Sequence, residues 1–263
     1  MNSLAISSEA RIDFPGVAGT FSRIEYTSAV DGFSDWAIVS PSRSKTWIVF
    51  VHGHGSSGDQ LFTRHDIKTA WLPVIQQREY GILAVNLRGN AWMSRAAASD
   101  LHGLLSFARK KYEAQRFIFA SGSMGGTSNL IYAVLYPQDV SAVLALCPAT
   151  DLATYHRWLT DQRRPICAEI KLAIETGYGA TPKKAQNLFA RHSALKNAAA
   201  LTMPVYVSHG TADEVIPVEQ SRGLAAAMQG APLFRYDELP DGGHDTPLQK
   251  FDEGLGWLTQ RDA

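Results

Sequence analysis

The chain has 263 residues, a length that suits one large α/β domain or two small domains. It carries 25 basic and 25 acidic side chains, so no overall charge favours nucleic acid or an anionic membrane surface as a partner. The two cysteines, Cys147 and Cys167, are too few for a disulfide framework or a zinc cluster, and we expect both to be free thiols.

The N-terminal residues do not resemble a secretory signal. Residues 1–11 include Glu9 and several polar side chains, whereas a signal peptide has a basic stretch followed by an apolar one. No apolar run approaches the length of about 18 residues that a membrane-spanning helix needs. We therefore expect a cytoplasmic protein without a membrane span, and a homo-oligomer is compatible with the sequence.

In chain order, the sequence predicts strands that alternate with helices. Residues 20–27 and 34–39 predict an antiparallel edge, with the turn residues Asp31 and Gly32 between the two strands. Continuous apolar runs, typical of strands buried on both faces, predict further strands at residues 46–51, 82–86, 116–120, 140–147, 205–208 and 233–239. Helical patterns are found at residues 60–78, with a kink or break at Pro73, and at 99–111, 129–136, 218–228 and 247–258.

This alternation predicts an α/β fold: a mostly parallel sheet of about eight strands with helices on both faces. We expect residues 1–263 to form a single domain. Residues 149–201 have a helical pattern, and a stretch of about 50 residues is too long for a simple crossover. They predict a small helical cap inserted into the domain. Ligands of such sheets bind at the carboxyl ends of the strands, where the unusual loop sequences also occur.

Ser123 lies where a predicted strand turns into a helix, within the sequence Ser-Gly-Ser-Met-Gly at residues 121–125. Small residues two positions before and after a serine leave room for strained backbone geometry at such a turn. That geometry lifts the hydroxyl clear of the sheet, at the positive end of the following helix. Ser123 is therefore a predicted nucleophile that needs a base and an orienting acid. Taken alone, the motif also fits a helix cap or a flexible turn.

The acid and the base are predicted in two later loops. Asp213 follows the predicted strand at residues 205–208, and His244 follows the last strand after two glycines. Ser123, Asp213 and His244 thus occur in the order nucleophile, acid, base that one fold uses. Glu214 and Asp151 are alternative acids, and we favour Asp213 because its loop directs it towards the site.

Four segments together resemble the α/β-hydrolases, and within them the dienelactone-hydrolase-like esterases and the catalytic domain of prolyl-oligopeptidase-type peptidases. The segments are residues 88–89, 121–126, 209–213 and 242–244, within a resemblance that spans residues 46–258. Ser121 stands where the family usually has glycine, and serine is still a small residue. The resemblance implies that Ser123 attacks a carbonyl carbon, that His244 transfers the proton and that Asp213 orients His244.

The same resemblance implies an oxyanion hole built from two backbone N–H groups. One is the N–H of Met124, the residue after the nucleophile, and the other comes from the loop at residues 52–58. Our choice in that loop is His54, with Gly53 and Gly55 as alternatives that would shift the assignment by one residue.

Aromatic and apolar side chains of the insertion and of the loop at residues 88–94 predict a substrate pocket. We expect Trp92, Met93, Tyr155 and Trp158 to line it and to favour apolar or aromatic groups. Ordinary packing of a small helical cap would explain each aromatic residue taken singly.

No metal or cofactor is expected. His52 and His54 have a His-x-His spacing, but a zinc site needs three or four converging ligands, and the sequence offers no further pair nearby. His209 precedes the loop of the predicted acid, and we expect a structural role for it.

The sequence therefore predicts a serine carboxylic ester hydrolase that acts through an acyl-enzyme on small to medium esters, aromatic ones included. A serine peptidase of the prolyl-oligopeptidase type is the second hypothesis, although no acidic cluster that would bind a free amine is evident. The third hypothesis is a non-catalytic binding protein on the same fold. The presence of all three triad residues argues against it.

Overall fold

The structure is a computed structural model and describes residues 4–260. Within these residues, nine strands form one sheet in the order β1-β2-β3-β5-β4-β6-β7-β8-β9. The strands are β1 Ala5–Ile12, β2 Phe21–Thr27, β3 Ser34–Ser40, β4 Thr46–Val51, β5 Gly81–Val85, β6 Arg116–Gly122, β7 Ala142–Leu146, β8 Val205–Gly210 and β9 Phe234–Leu239. The three pairings that involve β1, β2 and β3 are antiparallel, and the other five are parallel. The predicted α/β fold with a mostly parallel sheet is confirmed.

Ten α-helices connect the strands of the described chain. They are α1 Gln60–Thr63, α2 His65–Ala70, α3 Leu72–Gln77, α4 Arg95–Tyr112, α5 Met124–Leu135, α6 Leu152–Thr160, α7 Pro165–Tyr178, α8 Gln186–Arg191, α9 Glu219–Ala227 and α10 Phe251–Thr259. Three short 3₁₀ helices occur at Pro137–Asp139, Ala198–Ala200 and Thr246–Lys250. No helix among residues 4–260 is both long and apolar enough to cross a membrane.

Two helices differ from their predicted bounds, and one strand was not predicted. In the helix expected at residues 60–78, the break at Pro73 is confirmed, because Pro73 lies in the first turn of α3. A second break, between α1 and α2, was not predicted and occurs where Arg64 has an extended backbone. The helix expected from residue 129 begins at Met124. This start was not predicted, because the first turn is glycine-rich and carries no helix-forming pattern. β1 was not predicted, because it is an edge strand with mostly exposed side chains and lacks apolar alternation.

The core lies on both faces of the sheet, because successive side chains of a strand point to opposite sides. In β4, Trp47 and Val49 belong to one apolar cluster and Ile48 and Phe50 belong to the other. Helices α4 and α5 and the residues after β7 cover the first face, whereas α2, α3 and α10 cover the second. β5 and β7 are therefore apolar along their whole length, as their sequences indicate.

The long segment between β7 and β8 contains α6, α7 and α8. Two tyrosines of this insertion bind loops at the carboxyl ends of the strands. The hydroxyl of Tyr155 donates to the carbonyl oxygen of Val215 at 2.9 Å, and that of Tyr178 donates to the carbonyl oxygen of Trp92 at 3.2 Å. The insertion therefore adjoins the edge of the sheet at which the predicted site residues lie.

Candidate active site

Ser123 occupies the sharp turn between β6 and α5. Its backbone angles, φ 56° and ψ −126°, lie in a region that residues with a side chain rarely adopt. The Ser123 N–H donates to the carbonyl oxygen of Leu146 at 2.8 Å, which holds the turn against β7. Gly125 is needed for a close approach, since a Cβ there would lie 2.0 Å from the carbonyl oxygen of Val51. The small residues around Ser123 thus permit a turn that presents its hydroxyl at the carboxyl end of the sheet.

Ser121, the departure from the family pattern, has a defined contact. Its side chain is fully buried, and its hydroxyl oxygen accepts the N–H of Val51 at 2.9 Å. This hydrogen bond joins the ends of β4 and β6, the two strands that lead into the predicted oxyanion loop and the Ser123 turn. A glycine could not make it, so the serine adds a polar link beneath the turn.

The structure brings the three predicted triad residues into contact. His244 Nε2 lies 2.8 Å from Ser123 Oγ, and His244 Nδ1 lies 2.7 Å from Asp213 Oδ2. With a proton on Nδ1, the ring donates to the carboxylate and can accept the proton of the serine hydroxyl at Nε2. These are the contacts that a nucleophile, a base and an orienting acid require.

Asp213 is buried and accepts four N–H groups. Oδ2 faces His244 Nδ1 at 2.7 Å and His209 Nε2 at 3.1 Å, and Oδ1 accepts the backbone N–H groups of Val215 and Ile216 at 2.8 and 2.9 Å. Burial alone would raise the pKa of Asp213, but the hydrogen bonds from His209 and His244 outweigh it and hold the pKa well below its usual value. The residue is therefore a carboxylate at neutral pH.

The two alternative acids have other partners. One oxygen of Asp151 caps α6 by accepting two N–H groups of its first turn, both at 2.9 Å, and the other accepts the hydroxyl of Ser193 at 2.8 Å. Glu214 forms an ion pair with Arg164. Within residues 4–260, neither carboxylate forms a hydrogen bond with His244.

Most N–H groups of the loop at residues 52–58 donate hydrogen bonds to other residues of the protein. The Gly53 N–H donates to Gln60 Oε1 and the Gly55 N–H donates to Asn90 Oδ1, both at 2.8 Å. The N–H of His54 between them has no hydrogen-bond acceptor among the residues that the structure describes. Of the three candidate donors in this loop, His54 is therefore the one whose N–H is available to a ligand.

The second predicted donor is the N–H of Met124. Met124 is the first residue of α5, and N–H groups in the first turn of a helix have no intrahelical acceptor. The described part of the chain supplies no other acceptor for it. The N–H groups of His54 and Met124 are thus both available at the end of the sheet that presents Ser123.

The loop after β5 braces the loop of His54. Besides the contact of Asn90, the side chain of Asn86 accepts the N–H of Gly58 at 3.2 Å, and the carbonyl oxygen of Asn86 lies 3.0 Å from His52 Nε2. The amide side chains of Gln60, Asn86 and Asn90 were missed by the sequence analysis. No local pattern identifies them, because their partners lie 7, 28 and 35 residues away in the chain.

Three of the four predicted pocket residues, Trp92, Tyr155 and Trp158, form a row of rings that starts at His54. The Trp92 ring centre lies 6.1 Å from that of His54 and 5.7 Å from that of Tyr155, and Tyr155 stacks on Trp158 at 6.0 Å. Trp92, Met93 and Tyr155 are fully buried, whereas Trp158 is partly exposed. The row therefore begins beside the loop of His54 and continues into the insertion, with its middle members packed in the interior.

The chemistry of the potential metal ligands does not favour a metal. Among the described residues, one group of three such side chains, Cys147, Asp213 and His244, has its ligand atoms within 4.8 Å of one another. Both nitrogens of His244 already contact Ser123 and Asp213, and burial raises the pKa of the Cys147 thiol well above its usual value. His52 directs both ring nitrogens at backbone carbonyl oxygens, those of Gly53 and Asn86.

Comparisons with known proteins agree with the architecture. A family model described as "alpha/beta hydrolase fold" matches residues 46–165, a range that includes Ser123. No curated protein sequence is significantly similar to the chain.

Several solved structures are similar over most of the chain. The S-formylglutathione hydrolase of Agrobacterium tumefaciens has a TM-score of 0.70 at 14% identity, over 97% of this chain and 99% of its own. An esterase of Pyrococcus furiosus has a TM-score of 0.69 at 14% identity, over 95% of this chain and 99% of its own. A puromycin hydrolase has a TM-score of 0.65 at 18% identity and covers 88% of this chain, which spans only 37% of the hydrolase. At these identities the similarity concerns the fold.

Proposed function

Because the chain has the α/β-hydrolase fold, we propose that it is a serine hydrolase that cleaves carboxylic esters through an acyl-enzyme. The observation that carries this proposal is the continuous hydrogen-bonded line from Ser123 through His244 to Asp213, at 2.8 and 2.7 Å. The strained turn of Ser123 and the ionised, buried carboxylate of Asp213 support the same roles.

In the acylation step, Ser123 Oγ bonds to the ester carbonyl carbon while His244 Nε2 takes the hydroxyl proton. The imidazolium, stabilised by Asp213, gives this proton to the alcohol oxygen as the carbon–oxygen bond of the ester breaks. In the second step, His244 takes a proton from water as the water oxygen bonds to the acyl carbon. His244 then gives this proton to Ser123 Oγ as the bond between Oγ and the acyl carbon breaks, and the carboxylic acid is released.

The negative charge of each tetrahedral intermediate needs donors that are already in place. We assign the backbone N–H groups of His54 and Met124 to this role, since neither is used within the described chain. Removal of one such donor from other enzymes costs roughly 3 to 4 kcal/mol of transition-state stabilisation. The hydrogen bonds of Gly53 and Gly55 to side chains keep the His54 peptide in one orientation.

We propose that the row of rings from His54 to Trp158 forms an apolar wall for the substrate. We also propose that residues 1–263 form a single domain and that the insertion at residues 149–201 caps its site. Trp92, Met93 and Tyr155 support this wall from the interior, and Trp158 reaches its surface. Such a wall suits small to medium esters with apolar or aromatic groups.

Labelling by a fluorophosphonate probe tests the nucleophile. We expect the wild-type protein to be labelled and to hydrolyse p-nitrophenyl esters, and Ser123→Ala to lose the label and roughly 10⁴-fold or more of kcat. Ser128, a buried serine of the helix α5 that follows Ser123, supplies the matched control, and Ser128→Ala should keep both properties. An unlabelled wild-type protein would favour a non-catalytic binding protein.

The acid is tested by two aspartate variants. Asp213→Asn should reduce kcat by roughly 10³- to 10⁴-fold, because the amide no longer selects the tautomer of His244 or stabilises its cation. Asp151→Asn should keep the activity and change stability little, because asparagine caps a helix about as well as aspartate. The reverse pattern would assign the acid to Asp151.

A serine peptidase is the second candidate, because one of the similar structures is a puromycin hydrolase. The comparison of p-nitrophenyl esters with aminoacyl p-nitroanilides separates the two functions. We expect ester turnover to exceed amide turnover by orders of magnitude. Comparable rates on both substrates would favour the peptidase.

A further inference from the structure

His209 is a second histidine in contact with the carboxylate of Asp213. It lies in β8, is fully buried and has all of its ring contacts within the protein. Its Nε2 lies 3.1 Å from Asp213 Oδ2 and 2.9 Å from the carbonyl oxygen of Ile216, and its Nδ1 lies 2.7 Å from the hydroxyl oxygen of Ser221. From the sequence alone, only a structural role is expected for this histidine.

The partners of His209 determine where its proton lies. Nε2 faces a carboxylate oxygen and a carbonyl oxygen, which can only accept, so Nε2 must carry a proton. Nδ1 faces the hydroxyl of Ser221, which can rotate to donate. In the neutral ring, Ser221 therefore donates to Nδ1, and the Nε2–H of His209 is shared between Asp213 Oδ2 and the carbonyl oxygen of Ile216. The acceptor oxygens at Nε2 thus fix the tautomer, and the hydroxyl of Ser221 satisfies the other ring nitrogen.

This donation completes the set of contacts around Asp213. Oδ2 receives the two imidazole N–H groups, and Oδ1 receives the backbone N–H groups of Val215 and Ile216. A carboxylate offers about four lone-pair sites, so all of them are used. The plane of the Asp213 carboxylate cannot rotate without breaking one of these bonds, and the oxygen that faces His244 is held in place.

We propose that His209 is a positioning residue of this site. Its Nε2–H orients Asp213 and shares the negative charge of Asp213 Oδ2 with His244. His209 thereby sets the basicity of His244. Ser221 is the orienting partner of His209. This inference rests on the proposed triad, and it goes beyond it by adding two residues that do not touch the reacting atoms.

The direction of the effect follows from the shared charge. If the His209 N–H is removed, more of the negative charge of Asp213 is directed at His244, and the protonated form of His244 is stabilised. The pKa of His244 should therefore rise. The acid limb of kcat/KM, which reports the base in the free enzyme, should move to higher pH. A residue that only filled space would not move it.

The titratable side chain of Cys147 adjoins Asp213 and His244 on the side of β7. Cys147 has its sulfur within 4.8 Å of the ligand atoms of Asp213 and His244. Burial raises the pKa of this thiol well above its usual value, so it stays neutral in the pH range of the assay. It adds no charge that would mask a shift.

The charged groups on the other neighbouring elements have their own partners. Asp245, next to His244, pairs with Arg64 of the α1–α2 junction at 3.0 Å. Glu238 of β9, opposite His209 in the sheet, pairs with Arg222 of α9 at 2.7 Å. The variants below leave these pairs unchanged, so a shift of the acid limb reports the His209 contact.

Three variants test the proposal. His209→Leu removes the N–H and should lower kcat/KM by roughly 10- to 100-fold, mainly in kcat, with the acid limb at higher pH. His209→Gln can place an amide N–H near the position of Nε2 and should recover part of both effects. Ser221→Ala leaves the ring in place and should cause a smaller shift in the same direction, which keeps the test valid if His209→Leu does not fold.

The matched control is His102→Leu. His102 also contacts a buried aspartate, Asp139, at 2.7 Å, but Asp139 lies just before β7, at the opposite end of the sheet from Ser123. This variant should keep the wild-type kcat/KM and acid limb. A folded His209→Leu protein with a wild-type acid limb, or a folded His209→Gln protein no better than His209→Leu, would overturn the proposal.

An NMR titration of the His244 ring separates this inference from the proposed function. It measures the pKa of His244 without turnover, in the wild-type protein and in His209→Leu. If the wild-type protein cleaved no ester, the proposed function would fail, and a raised pKa of His244 in the variant would still support the contact. An unchanged pKa would refute the inference even in an active esterase.

Discussion

The contact between Gly210 and the loop of His244 leads to a quantitative prediction. A Cβ at position 210 would lie 2.1 Å from the carbonyl oxygen of Gly242, whereas real Cβ contacts essentially never fall below 3.0 Å. Gly210→Ala must therefore move the loop by about 1 Å. His244 follows two residues after Gly242, and its hydrogen bonds to Ser123 and Asp213 measure 2.8 and 2.7 Å. A displacement of that size breaks both.

We expect Gly210→Ala to reduce kcat/KM by roughly 100-fold, the effect typical of a catalytic group misplaced by about 1 Å. Overpacking of this kind also lowers the free energy of unfolding, by about 1 to 3 kcal/mol. The assay is the hydrolysis of a p-nitrophenyl ester, with urea unfolding of the same preparation. The unfolding curve ensures that activity is compared between folded samples.

Gly243→Ala in the same loop is the control. A Cβ at this position would have no atom within 4 Å, and the φ angle of Gly243 lies outside the left-handed range. This variant should therefore retain wild-type kcat/KM and stability. The reasoning would be refuted if Gly210→Ala kept kcat/KM within about twofold of the wild type, or if Gly243→Ala lost as much.

Two further predictions concern buried titratable groups. Burial, together with the charges of Arg191 and Arg95, lowers the pKa of His192 to about 4, whereas an unfolded histidine titrates near 6.5. The unfolded chain therefore binds this proton first, and up to about 3 kcal/mol of stability present above pH 6.5 is lost as the pH falls towards 4. Urea unfolding of wild type and His192→Asn at pH 7 and 4.5 should show a smaller loss for the variant, and equal losses would contradict the assignment. Cys147 and Cys167 are buried, and burial raises the pKa of both thiols, so a chromogenic disulfide reagent at pH 8 should react with neither thiol before unfolding. Rapid reaction of either thiol in the folded protein would argue against this packing.

The sheet was predictable where burial leaves a local pattern. β4 and β7 are continuous apolar runs because both faces of the parallel sheet are covered by helices. β1 has no such pattern, since it lies at the edge with exposed side chains. The start of α5 was also not predictable from local helix-forming residues. Gly125 in its first turn is required for a close approach to Val51 and does not favour a helix.

The candidate site was predictable to the extent that each residue has its own local motif. Ser123 lies among small residues at a strand-to-helix turn, and His244 follows two glycines after the last strand. Asp213 follows a buried strand in a loop of small and polar residues. The sequence could therefore predict three loops that meet at one edge of a parallel sheet, and the structure brings the three side chains into contact.

By itself, the sequence determined the α/β architecture, the turn of Ser123 and the order of the predicted triad, because these depend on neighbours a few residues apart. Only the tertiary structure decided which N–H groups of the loop at residues 52–58 are free, since their acceptors come from Gln60 and Asn90. It also decided that His209, whose other ring nitrogen contacts Ser221, reaches Asp213 from within the protein. Such hydrogen bonds depend on the distance between folded elements. The residue type at one position does not indicate which distant residue it will contact.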